Sequence, residues 1–133
     1  MEDEIRVPIA SDADIVIARQ QGRSLAERLG FTATDQTIIA TAISEVARNI
    51  IKFAKRGEVV LSPAVKSSTH GIMVVARDQG PGIADIHLAL QDGYTTGNGL
   101  GMGLPGCKRL MDEIEIKSDV GKGTTVMMKK WVP

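Results

Sequence analysis

Residues 34–54 read TDQTIIATAISEVARNIIKFA, and this stretch decides the fold. Ile38, Ile39, Ala42, Ile43, Val46, Ala47 and Ile50 recur with the 3.6-residue period of a helix that buries one face. Thr34-Asp35 offers side-chain oxygens to the first free amides, so the spacing predicts a helix from that cap to about Ala54. An apolar face of that length needs a surface to lie on, and the flanking sequence supplies strands. Upstream, Ile5, Val7 and Ile9 alternate as a short strand. Ser11-Asp12 then caps an earlier helix with Ile15, Val16, Ala18, Leu25, Ala26 and Leu29 on one face, closed by Gly30 and weakened slightly by Gly22. Downstream, residues 58–61 read as a strand stopped near Pro63, and residues 72–78 as another. A helical turn is expected at 85–90, and a helix at 104–111 with Pro105 in its first turn. Strands at 114–117 and 124–131 flank the turn 119–123. With no repeat or linker, the expectation is one domain over 1–133. Its class is α/β, as an α+β two-layer sandwich with helices on one face of a mixed sheet.

Composition narrows the function. The chain has 133 residues, 43% hydrophobic and 24% charged, which is a folded chain of single-domain size. Lys plus Arg and Asp plus Glu both number 16. Neither sign dominates, so no basic footprint for nucleic acid or for a membrane surface is expected. The single Cys107 excludes a disulfide framework and a multi-cysteine metal site. No apolar run reaches the roughly 18 residues of a membrane span. The start, Met1-Glu2-Asp3-Glu4, lacks the basic residues of a signal peptide, so a cytoplasmic protein is expected.

Three stretches carry chemistry. Glu45 and Asn49 stand four apart on one helix face. An amide oxygen is a hard ligand for Mg²⁺, and a carboxylate can take a proton from an attacking hydroxyl. The same spacing also suits a solvated helix face. Asp78-Gln79-Gly80-Pro81-Gly82 follows a strand and places an acceptor at the sheet's end, where an adenine amine could donate; a plain turn with an Asx hydrogen bond reads identically. Gly97 to Gly106, GNGLGMGLPG, runs into a helix start, which makes a nest of amides for phosphate. Within it, residues 101–106 match G-x-G-x-x-G by letter. No strand precedes them, however, so the dinucleotide reading fails. Gly121-Lys122-Gly123-Thr124-Thr125 is not a P-loop either, since no G-x-x-x-x-G-K-[ST] occurs.

Taken in order, Glu45…Asn49, Asp78-Gln79-Gly80-Pro81-Gly82, Gly99-Leu100-Gly101-Met102-Gly103 and Gly121-Lys122-Gly123-Thr124-Thr125 resemble the N, G1, G2 and G3 boxes of the GHKL ATPase superfamily. The resemblance implies the Bergerat fold, with ATP held on the helix side of the sheet under a lid. Histidine kinases of this superfamily need a helical pair bearing a phosphoacceptor histidine, and only His70 and His87 are present. The sequence is most similar to the stand-alone serine/threonine kinases of bacterial sigma-factor regulation, in particular the stressosome switch kinases. That likeness lies in residues 11–31, 41–45, 92–96 and 101–112.

Carried over box by box, the resemblance implies Asn49 as Mg²⁺ ligand and Glu45 as general base for the incoming serine. It implies Asp78 as reader of the adenine amine, with Gly80, Gly82 and Thr124 completing the base pocket. Gly99, Gly101 and Gly103 would let the lid close over phosphates favoured by the helix start at Leu104. The lid, 94–103, holds no Lys or Arg, so a basic residue near the γ-phosphate must come from elsewhere. Among Arg48, Lys52, Lys108 and Arg109, Lys52 is the choice by helical spacing. A lid this short predicts slow ATP turnover without a protein substrate. The implied cofactors are ATP and Mg²⁺. The implied partners are STAS-domain antagonist and scaffold proteins of RsbS and RsbR type and a PP2C-type phosphatase of RsbU type. An anti-sigma factor of the same kinase family, holding a sigma subunit directly, is the alternative. A nucleotide sensor without kinase activity is a third reading, against which Glu45 and Asn49 stand.

Overall fold

The computed structural model describes residues 4–80 and 103–133. Strand β1 (Ile5–Ile9) leads to helices α1 (Asp12–Arg28) and α2 (Ala33–Ala54). Strands β2 (Gly57–Lys66) and β3 (Thr69–Asp78) follow, then helix α3 (Gly103–Leu110) and strands β4 (Glu113–Asp119) and β5 (Gly123–Trp131). The sheet order is β1-β2-β3-β5-β4. The expected turn at 85–90, most of the lid, and Gly82, Gly99 and Gly101 lie outside the described residues.

The two-layer architecture is as expected, with one correction. Every described strand pairing is antiparallel, so the sheet is not mixed. Two tight links impose this on β2–β3 and β4–β5: Ser67-Ser68 joins β2 to β3, with Ser67 at a φ of 54°, and residues 120–122 join β4 to β5. Links that short can only join antiparallel neighbours.

Register fixes which face meets the helices. Val7, Val59, Ala76, Val126 and Ile116 form one cross-strand row, and Ile5, Leu61, Val74, Met128 and Ile114 the next. All ten belong to the core or pack against it. Ile39, Ala42, Ile43, Val46, Ala47 and Ile50 of α2 are buried against them, as the periodicity demands. Burying each large aliphatic chain contributes about 1.5–3 kcal/mol. Gly22 is where α1 crosses α2: a Cβ there would stand 2.1 Å from the Ile43 side chain, so glycine permits the close approach. Val16, expected on the apolar face of α1, is instead exposed.

Two boundaries differ from expectation. The cap of α2 is Thr32, whose Oγ1 accepts from the Asp35 amide at 3.2 Å; this leaves Thr34 inside the first turn. Asp35 then stands where the helix dipole favours a negative charge. Pro63 does not stop β2, which runs on to Lys66. The pairing with β1 ends at Leu61, so beyond that point β2 has β3 as its neighbour on one side only. A strand position with an open side tolerates a missing N–H.

Candidate nucleotide site

The site is assembled from four separate elements. Its first part is the final residue of β3. Asp78 Oδ1 accepts from the Gly80 amide at 2.9 Å and from the Thr124 amide at 3.2 Å. The first bond is the Asx turn that the sequence left open; the second crosses to β5 and locks the carboxylate in place. Oδ2 has no partner among the described residues, so Asp78 offers one fixed, free acceptor. Thr124 also shares a hydroxyl hydrogen bond with Ser118 of β4, at 2.9 Å. Three strand ends thus hold this corner together.

Gly123 sets the distance between β3 and β5 here, a role the sequence reading did not single out. Its φ is +104°, and a Cβ would lie 2.1 Å from the Asp78 carbonyl oxygen. Gly123→Ala combines backbone strain with a clash that neither strand can relieve. We expect a loss of about 3 kcal/mol or more and a fall of roughly 10 °C in Tm. Gly121 has a φ of +83° but nothing within 4 Å of its Cβ position. Gly121→Ala should therefore cost only about 1–2 kcal/mol. Thermal unfolding followed by circular dichroism compares the two.

The second part lies along α2. Glu45 is buried and Asn49 half-buried. The Asn49 side chain makes no hydrogen bond within the described residues, which leaves its amide oxygen available to a hard cation. It fits Mg²⁺ as a lone protein ligand among phosphate and water oxygens. No cluster of three or more His, Cys, Asp or Glu among the described residues could hold a metal by itself. Gly80 packs on the last turn of this same helix, its Cβ position 2.6 Å from the Ala54 Cβ. With a rise of 1.5 Å per residue, Ala54 is about 14 Å along the axis from Glu45, and Asn49 about 6 Å. Along the axis of α2 the order is therefore Asp78 beside the last turn, then Asn49, then Glu45.

The third part is the start of α3. Cys107 packs this helix on α2, its thiol 3.7 Å from the Ala42 carbonyl. Burial, then the Glu45 charge, push that thiol up to about 12, so it stays protonated and serves packing. The helix begins at Gly103, with a φ of +61°. Its amide, expected to face phosphate, donates to Glu45 Oε1 at 3.0 Å. Leu104 is buried beneath it. The other oxygen, Oε2, accepts from Arg48 Nη1 at 2.7 Å.

The basic candidates separate by position. Arg48 is engaged with Glu45, which spacing at i+3 could have suggested. Lys52 is exposed, with Nζ 5.6 Å from the centre of the Phe53 ring and no ion pair among the described residues. Lys108 and Arg109 are exposed on α3. Trp131 is a packing anchor at the opposite end of β5: its indole donates to Glu113 Oε2 at 2.8 Å, and this bond holds the Glu113 carboxyl below its ordinary value. A cleft between β1 and α1, lined by Ile5, Val7, Asp14, Ile17 and Gln21, includes none of the site residues.

The described residues thus set a helix layer on an antiparallel sheet, with Glu45 and Asn49 on α2 and Asp78 at the end of β3 beside the last turn of that helix. Residues 9–130 match the histidine kinase-like ATPase domain, and the chain belongs to that family. It is 47% identical over 132 residues to the serine/threonine-protein kinase RsbT of Bacillus subtilis, covering 99% of both chains. An anti-sigma F factor of Geobacillus stearothermophilus is 34% identical over 118 residues, covering 85% of this chain and 81% of that protein. Among solved structures, the RsbU and RsbW domains of a Mycobacterium tuberculosis protein superpose with a TM-score of 0.65 at 20% identity, covering 98% of this chain and 33% of that one. The mycobacterial sensor histidine kinase MprB gives 0.58 at 17% identity, covering 97% and 99%. The family resemblance read from the boxes is borne out, and so is the expectation of an enzyme of the serine/threonine-kinase class.

Proposed function

We propose that this protein transfers the γ-phosphate of ATP to a serine or threonine of STAS-domain partners of RsbS and RsbR type. Once they are phosphorylated it is released to activate a PP2C-type phosphatase of RsbU type. The observation that carries the reading is the order of Asp78, Asn49 and Glu45 along the axis of α2, in a chain 47% identical to RsbT. A nucleoside triphosphate bound in that order meets a purine acceptor first, a metal ligand next and a base last. Asp78 Oδ2 accepts from the exocyclic amine, with Gly80, Gly82 and Thr124 around the ring. Asn49 holds Mg²⁺, which supplies charge neutralisation between the phosphates. Gly99, Gly101 and Gly103 admit the phosphates near the start of α3, at Leu104, and Lys52 swings from Phe53 to the γ-phosphate. The substrate hydroxyl oxygen bonds to the γ-phosphorus as the bridge to the β-phosphate breaks and ADP leaves. Glu45 takes the hydroxyl proton. Catalysis here is positioning and electrostatics.

The proposed setting is the cytoplasm. Among the described residues no helix is long and apolar enough to cross a membrane.

The test is transfer of labelled γ-phosphate from Mg-ATP to a purified STAS-domain protein, with Asn49→Ala as control. Labelled phosphoserine or phosphothreonine that drops about 100-fold or more in the control supports the kinase and its metal ligand together. Nucleotide binding without transfer, joined to capture of a sigma subunit, would favour the anti-sigma reading. The higher identity to RsbT than to the anti-sigma F factors favours transfer.

A further inference from the structure

We infer that Arg48 is a positioning residue for Glu45, keeping the carboxylate aimed into the site when the amide opening α3 passes to phosphate. The inference rests on the reading of Glu45 as the base. Oε1 accepts from the Gly103 amide at 3.0 Å and Oε2 from Arg48 Nη1 at 2.7 Å, so the carboxylate is held from both sides. These two anchors differ in kind. The Gly103 amide stands at a helix N-terminus, the end that favours anions, and it is where the proposed function puts phosphate. One N–H cannot serve the carboxylate and a phosphate oxygen equally well. Once phosphate takes it, Oε1 loses its tether and two anions come close together.

Arg48 is then the anchor that remains. It lies one turn from Glu45 on the same helix, so its hold does not depend on α3. Its guanidinium makes no other bond within the described residues, and its side chain is 48% exposed against 9% for Glu45. That asymmetry puts the cation toward solvent and the carboxylate in the interior. A charge-assisted bond of this length is directional as well as strong. The positive charge also offsets repulsion between carboxylate and phosphate. Arg48 acts through Glu45 and does not itself touch the transferred group.

The experiment compares Arg48→Ala and Arg48→Lys in the full chain. Transfer from Mg-ATP to a STAS-domain protein gives kcat and the KM for ATP. The Gly103 amide resonance, from ¹⁵N-labelled protein without nucleotide, reports the clamp directly. We expect Arg48→Ala to lower kcat about 10- to 100-fold with the KM for ATP changed less than about twofold. Arg48→Lys should recover more than half of the loss on a logarithmic scale. The Gly103 amide resonance should move in Arg48→Ala in the same direction as in Glu45→Gln. An unchanged kcat or an unmoved amide would overturn the inference. So would a large rise in KM with kcat retained, because Arg48 would then bind phosphate itself. Absence of transfer by the unmodified protein would instead refute the kinase reading, and normal transfer by Glu45→Gln the base assignment. The amide resonance decides the clamp in either case.

Discussion

Glu45→Ala is expected to lower phosphoryl transfer by a factor of about 10²–10⁴ while leaving nucleotide binding intact. The loss follows from removing the acceptor for the hydroxyl proton. Binding survives because the carboxylate contributes nothing attractive to a phosphate; it occupies the Gly103 amide, which is free in the variant. The fold should tolerate the change. Arg48, half-exposed, regains water, and the single unpartnered amide costs about 1 kcal/mol. Transfer of labelled phosphate and calorimetric titration with ADP and ATP measure the two halves separately. Transfer at the normal rate would remove Glu45 from the mechanism. Loss of binding together with transfer would make its role structural.

Asp78→Asn is expected to raise the Kd for ATP about 10- to 100-fold, with the fold preserved. The structure makes this an unusually clean substitution. Oδ1 accepts two backbone amides, and the asparagine oxygen can keep both in the same place. The amide nitrogen must then occupy the Oδ2 position, where it donates. A purine amine arriving there meets a donor in place of a charged acceptor. Losing a hydrogen bond to a charged group is worth about 1.5–3 kcal/mol, which is the stated range of affinity. The measurement is titration of wild type and variant with ATP, alongside thermal unfolding of each. A drop of many degrees in Tm would mean that the carboxylate is needed for the corner itself. Equal affinity would mean that the base is read elsewhere.

The fold was legible in the sequence to the extent that local chemistry decides it. The period of α2 announced both the helix and the face it buries, and Gly30 closed α1 as read. What failed were features set by neighbours in space. Whether Pro63 ends a strand depends on where β1 stops, and β1 lies more than fifty residues earlier. The cap at Thr32 and the one expected at Thr34 differ only in which threonine the chain holds extended. The antiparallel sense of β4 and β5 was implicit in the turn read at 119–123, whereas the Ser67-Ser68 link was hidden because β2 was expected to stop near Pro63.

The site divides along the same line. Glu45 and Asn49 share a helix, so their place one turn apart on it was visible in the spacing. The strand-end position of Asp78 was visible too. Its restraint by the Thr124 amide spans 46 residues, and the closure of Gly103 on Glu45 spans 58. No periodicity encodes contacts of that separation. The helix start near Leu104 was legible, but the carboxylate seated on the Gly103 amide was not. Arg48 was weighed as a cation for phosphate because its spacing from Glu45 was read as a face and not as a bond.

The position of β5 bears on how the protein comes into being. It is the last strand in the chain, yet it sits inside the sheet between β3 and β4. Until it inserts, β3 has one open side, β4 has no neighbour, and Asp78 lacks its second restraint. Pairings between such distant segments form late, after the cost of closing long loops has been met. If Asp78 reads the purine as proposed, a growing chain can pair β2 with β3 before that acceptor has its second restraint, which is made only when β5 takes its place beside β3.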